Sequence, residues 1–162
     1  MTVTQQPLAV GEAAPDFSLL DQNGLEATLS SFRGRKHVLL VFYPNAFSGI
    51  CRGELAEIRD RLEDFVGEDR EVLAISCDPV YSLRAWADVE AYFFPLLSDF
   101  WPHGEVARAY GVLDESDGVA TRGTFLVDPE GVIRWSLVSS RGEGRSFDGF
   151  RAAMDQLTGA AS

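Results

Sequence analysis

The chain has 162 residues, 46% hydrophobic and 24% charged, with only two cysteines; this is the size and balance of one globular domain with a real core, and it excludes fibrous, low-complexity and disulfide-scaffold classes. A formal net charge of −11 argues against nucleic acid as a partner, because that binding rests on Lys and Arg displacing counterions. The start, "MTVTQQPLAVGEAAPDF", lacks the cationic and apolar regions of a leader and no apolar run is as long as a membrane span, so a cytoplasmic protein with no membrane partner and two free thiols is expected.

In chain order, "DFSLLD" and "EATLSSF" read as short extended pieces joined at Asn23-Gly24, a pair that tolerates positive φ. "HVLLVFY" (37–43) is an unbroken apolar run rich in β-branched and aromatic residues, as in a strand covered on both faces. Leu55, Ile58, Leu62 and Phe65 then recur at helical spacing, which predicts an amphipathic helix from Ser48 to about Phe65. "EVLAIS" is a second buried strand. Pro79 opens the next helix, with Leu83, Trp86 and Val89 or Glu90 on one face; "FPLLSD" is a short strand and "GEVARAYGV" a short helix.

"RGTFLVD" and "VIRWSLV" around Asp128-Pro129-Glu130-Gly131 form a hairpin signal with a type I turn, and a last helix runs from about Ser146 to Leu157. "RGEGR" before it reads as a flexible turn, and residues 1 to about 9 and the last few read as loose ends. The order of elements predicts an α/β layer fold over 1–162, with a mixed central sheet, helices on both faces, an N-terminal β-hairpin extension and an ordered core of about 10–157.

Cys51 stands where the first buried strand runs into a helix, the junction at which open α/β folds place reactive groups. Ser48 is a good N-cap, and its hydroxyl can accept from the backbone N–H three residues on, that of Cys51. The free amides and positive end of a helix favour a thiolate over a thiol. On location alone, a small buried apolar role for Cys51 is equally consistent. Glu54, one turn further on, is either an exposed first-turn carboxylate or a partner for a cation or amide nearby, and Cys77 at a strand end reads as a packing residue. His37 and His103 have no ligand spacing to either cysteine, so no metal is expected.

Pro44, Ser48 and Cys51 match P-x-x-x-T/S-x-x-C, and "FYPNAFSGICRGEL" resembles the active-site segment of the peroxiredoxins. "APDFSL", "FPLLSD" and "RGTFLVDPEGVIRW" resemble further segments of that family in the expected order, and "FPLLSDFWPHGEVARAYGV" is most similar to the AhpE-type one-cysteine members. The resemblance implies a thioredoxin-like fold and reduction of hydroperoxides, with Cys51 as the peroxidatic cysteine, Ser48 at the hydroxyl position, Pro44 shielding the sulfur and Arg122 as the site arginine. Ser48 departs from the more usual Thr, whose methyl restricts the rotamer. Glu54, Phe47 and Trp86 are candidates for supporting the pocket, although Trp86 also fits the core.

Such a site needs no cofactor: a thiolate attacks one peroxide oxygen, Arg122 stabilises the moving charge, and the sulfenic acid formed on Cys51 is reduced by a thiol. With Cys77 at no familiar resolving position, the reductant is expected from outside: thioredoxin, mycoredoxin or a low-molecular-weight thiol. A homodimer is implied by the resemblance alone. Three alternatives stay open at this point: a two-cysteine peroxidase with Cys77 as resolver, a peroxide-sensing or chaperone-like binding protein, and a thiol–disulfide oxidoreductase. The last is disfavoured because position 54, where a paired cysteine is needed, is Glu.

Overall fold

The computed structural model describes residues 6–140 and 142–159. The apolar runs form strands because their β-branched and aromatic residues fit a pleated surface buried on both sides. These strands are β1 (Ser18–Leu20), β2 (Glu26–Thr28), β3 (His37–Phe42), β4 (Arg70–Ser76), β5 (Leu96–Ser98), β6 (Leu113–Asp114), β7 (Val119–Ala120), β8 (Arg122–Val127) and β9 (Ile133–Ser139). Seven of them make one mixed sheet in the order β2-β1-β5-β4-β3-β8-β9, while β6 and β7 form a separate ribbon that the sequence reading did not contain. β3 runs parallel to β4 and antiparallel to β8. The expected N-terminal hairpin is β1–β2, joined to the sheet through a single Leu20↔Ser98 pairing with β5.

The helices are α1 (Gly49–Asp60), α2 (Leu62–Phe65), α3 (Val80–Glu90), α4 (Glu105–Ala109) and α5 (Asp148–Thr158), with a 3-10 turn at Leu29–Phe32. Strand alternation divides the core into two layers. Leu39 and Val41 of β3, Val72 and Ala74 of β4 and Leu126 of β8 point to one face, where α1, α3 and α5 deliver Leu55, Ile58, Trp86, Phe150 and Met154. Val38, Leu40, Leu73, Ile75 and Phe125 point to the other, covered by Leu29, by Val106 and Ala107 of α4, and by Ala14 and Phe17.

Besides the β6–β7 ribbon, the structure departs from the sequence reading in four places. The single helix expected over Ser48–Phe65 breaks at Arg61, whose φ of −123° is not helical although its N–H still bonds to the Glu57 carbonyl. The break lets α2 turn Phe65 inward against Phe147 and Phe150, with ring centroids 5.2 and 5.3 Å away. On α3 the buried face is Leu83, Trp86 and Ala87, while Val89 is exposed and Glu90 reaches Arg52 at 3.1 Å. At the start, the loose-end reading of residues 1–5 lies outside the described residues, as does that of 160–162; but Leu8 is tied by its N–H to the Tyr110 carbonyl and packs on the core. Of "RGEGR", Arg141 lies outside the described residues, while Arg145 is buried.

Candidate active site

Because β3 and β4 are parallel, their carboxyl ends lie together, and the chain leaves β3 there through residues 43–48 into α1. Phe47 takes a left-handed φ of +68°, a conformation that costs a non-glycine residue about 1 kcal/mol or more. Ser48 returns to extended geometry as the N-cap of α1 and accepts the Cys51 N–H on Oγ at 3.4 Å. This is the capping geometry expected from the sequence, with sulfur at the position where a capping box carries Glu.

The antiparallel register of β8 on β3 pairs Val41 with Thr124. Arg122, two residues before Thr124, therefore stands just past the end of β3, and shares the face of Thr124 and Leu126 toward α1. Its Nη1 donates to Cys51 Sγ at 3.4 Å and also to Glu54 Oε1. The arginine is buried, as are Cys51 and Glu54.

Glu54 is thus not an exposed first-turn carboxylate but the hub of a buried network. Its Oε2 accepts from both the backbone N–H and the Nε of Arg145, each at 2.8 Å. The rest of the Arg145 guanidinium donates to the Gly123 carbonyl at 3.2 Å, to Thr124 Oγ1 at 2.9 Å and to the Phe42 carbonyl. Arg145 therefore rivets α1 to the ends of β3 and β8. Burial pulls its guanidinium below the ordinary arginine value, and the charge of Glu54 is the main opposing influence. Two guanidinium groups face one carboxylate here.

Above the network lies a surface depression of about 240 Å³ lined by Pro44, Asn45, Ser48, Gly49, Ile50 and Arg122. Cys51 has 0% exposure and does not line it; Ser48 and Arg122, the two groups in hydrogen-bond contact with Cys51, do. The depression offers a small polar ligand a hydroxyl and a cationic donor, and the sulfur lies directly beneath, 3.4 Å from the Arg122 guanidinium.

The structure brings together Pro44, Ser48, Cys51, Glu54 and Arg122. It sets Trp86 apart in the core at 0% exposure, where it packs at a tilt of 41° under the half-exposed Phe47, with ring centroids 6.0 Å apart. Cys77 lies in the opposite core layer from Cys51, because it continues the alternation of Leu73 and Ile75. Burial, with Asp99 and Asp78 nearby, pushes its thiol up to about 12. His37 is half-buried at the far end of β3, and His103 bonds to the Gly118 carbonyl at 2.6 Å. Arg145 was missed. Its only signal in the sequence is the need of a buried Glu54 for more than one cation.

A family model described as the AhpC/TSA family matches residues 10–136. Alkyl hydroperoxide reductase E of Mycobacterium tuberculosis is 50% identical over 151 residues, covering 93% of this chain and 99% of that protein. The chloroplastic 2-Cys peroxiredoxin BAS1 of Hordeum vulgare is 38% identical over 149 residues, covering 86% of this chain and 70% of that one. Among solved structures, the reduced 2-Cys peroxiredoxin of Plasmodium vivax matches with a TM-score of 0.83 at 29% identity, over 94% of this chain and 83% of that one. Peroxidoxin BcpB from Mycobacterium tuberculosis matches with a TM-score of 0.78 at 29% identity, over 94% and 98%. The mixed sheet flanked by helices is accordingly the thioredoxin-like fold, and this chain belongs to the AhpC/TSA family, the peroxiredoxin thiol peroxidases.

Proposed function

We propose that Cys51 is the nucleophile of a one-cysteine thiol peroxidase acting on hydrogen peroxide and organic hydroperoxides. The observation that carries this reading is the Arg122 guanidinium 3.4 Å from the Cys51 sulfur, on the wall of an open depression. A hydroperoxide entering between Pro44 and Arg122 meets the Ser48 oxygen, which can accept its proton, and the guanidinium, which can donate to its oxygens. The thiolate attacks the terminal oxygen. The S–O bond forms as the O–O bond breaks, the departing alkoxide or hydroxide takes up a proton, and sulfur is oxidised to the sulfenic acid while the peroxide is reduced to an alcohol or water. Because Arg122 spans sulfur and depression, its positive charge serves both the attacking and the departing atom.

An external thiol then attacks the sulfenic sulfur, water leaves, and a second thiol resolves the mixed disulfide. The opposite-layer position of Cys77 supports a reductant from outside the chain, whether thioredoxin, mycoredoxin or a low-molecular-weight thiol. The same reading includes a homodimer and a cytoplasmic setting; no helix among the described residues is long and apolar enough to cross a membrane. Stopped-flow Trp fluorescence on mixing with hydroperoxide tests the assignment. Oxidation should be orders of magnitude faster than that of free cysteine and give a sulfenic acid on Cys51 by mass spectrometry; a rate no faster than free cysteine refutes it, and a Cys51–Cys77 disulfide refutes the one-cysteine form.

A further inference from the structure

We propose that Asp78 is a positioning residue for the Cys51 reaction, its carboxylate holding the turn that presents Pro44 and Ser48 beside the sulfur. The inference rests on the thiol-peroxidase reading above. Asp78 follows β4 and lies across from the β3–α1 turn because the two strands are parallel neighbours. Its Oδ2 accepts the Ala46 N–H at 2.8 Å. Among the described residues this is the one hydrogen bond joining 44–47 to another element. The same oxygen accepts the hydroxyl of the fully buried Ser76 at 2.7 Å, and the Asp78 carbonyl accepts Ser98 Oγ–H at 2.6 Å from β5. β4 therefore fixes the carboxylate through Ser76, and β5 fixes the backbone of Asp78 through Ser98.

The residue after Ala46 is Phe47, held in the left-handed region without being glycine. A turn with such a residue keeps its shape only while its surroundings over-determine it. Here two contacts do so: the carboxylate on the Ala46 amide and the Trp86 ring against Phe47. Both come from the Asp78–α3 segment. Without the charge-assisted bond to Ala46, Phe47 relaxes toward ordinary φ, and the displacement passes directly to Ser48, whose 3.4 Å bond to the Cys51 amide has little overlap to lose. Arg122 reaches the sulfur from β8 and is not moved. Removing Asp78 should therefore harm alignment of the peroxide while leaving the charge environment of the sulfur in place.

The test compares two reactions of Cys51 in the full chain: oxidation by hydrogen peroxide, and alkylation by iodoacetamide, which needs the thiolate but no aligned hydroxyl. For Asp78→Ala we expect peroxide oxidation slowed about 10- to 100-fold, as for an ångström-scale misplacement of reacting groups, with alkylation unchanged or faster. Asp78→Asn keeps an oxygen acceptor for Ala46 and should restore the peroxide rate to within a few-fold. If Asp78→Ala does not fold, Asp78→Ser serves, since its shorter hydroxyl stays at the strand end without reaching Ala46. A wild-type peroxide rate in the Ala or Ser variant overturns the proposal, as does a parallel loss of both reactions or failure of Asn to rescue. Failure of the peroxidase reading is distinct, because the unaltered protein would then show no fast peroxide reaction.

Discussion

Glu54→Gln isolates the buried network. The carboxylate presents two acceptor oxygens: Oε1 toward Arg122 and, at 3.3 Å, Arg145 Nη2, and Oε2 toward the amide and Nε of Arg145. Glutamine has nearly the same shape but only one acceptor; its other end is an NH₂. Whichever way the amide turns, a donor faces either Arg122 or Arg145, and two buried guanidinium groups lose their shared counter-charge. The side chains of Glu54 and Arg122 are each 3% exposed and that of Arg145 0%, so solvent offers little screening. Breaking a buried pair of this kind costs ~3–5 kcal/mol. At ~2–4 °C per kcal/mol for a domain of this length, the melting temperature should fall by ~6–20 °C.

Thermal unfolding followed by far-UV circular dichroism at neutral pH, with reductant present, measures the fall. The exposed Arg108–Glu115 pair, at 53% and 59% exposure, is the internal comparison: Glu115→Gln should leave the melting temperature nearly unchanged, because solvent screens the pair. Equal small shifts for both variants would mean that the network is not a buried electrostatic unit, and the account of how α1 is held to β3 and β8 would fail with it.

Cys51→Ser should abolish peroxide turnover while leaving the fold intact, checked by a reductant-coupled assay beside circular dichroism. Cys77→Ser should leave the oxidation step within a few-fold of wild type, and native Cys77 should resist iodoacetamide at pH 8 under conditions that label Cys51, read by peptide mass spectrometry. The Cys77 thiol is raised from the ordinary 9.0 to about 12, so the folded state holds its proton more tightly than the unfolded one; its contribution to stability is full below pH 9 and is lost as pH rises toward 12. Cys77→Ala should lessen the fall of denaturant midpoints across that window, the raised tyrosines Tyr43, Tyr92 and Tyr110 accounting for the remainder. Ser48→Ala should cost ~0.5–2 kcal/mol as a lost cap and slow peroxide oxidation at least tenfold, whereas Ser48→Thr, with a more restricted hydroxyl, should keep or raise the rate.

The strands and their faces were readable because β3, β4 and β8 are buried on both sides and because turn residues mark the ends of strands, Asn23-Gly24 between β1 and β2 and Asp128–Gly131 after β8. Pro44, Ser48 and Cys51 were readable for a different reason: they are close in sequence, and a helix start imposes its own chemistry at fixed offsets. Arg145 carried no comparable local signal. Its meaning depends on Glu54, Phe42, Gly123 and Thr124, which come from three other elements and converge only after β8 has paired with β3. The β6–β7 ribbon has only two residues on each side, too few for alternation to register, and the kink at Arg61 follows from where Phe65 must go rather than from any breaker residue. Asp78 likewise acts across a parallel strand pair, a relation that sequence distance conceals.

In the proposed one-cysteine cycle the sheet would also set the timing. With one sulfur on each side of it, an oxidised Cys51 would have no internal quencher, and its lifetime would be governed by how often a donor molecule collides with the Pro44–Ile50 rim. At low donor abundance the second encounter is more often with another peroxide than with a thiol, so the fraction of molecules driven to irreversible sulfinic acid becomes a readout of the ratio of oxidant to donor in the surroundings.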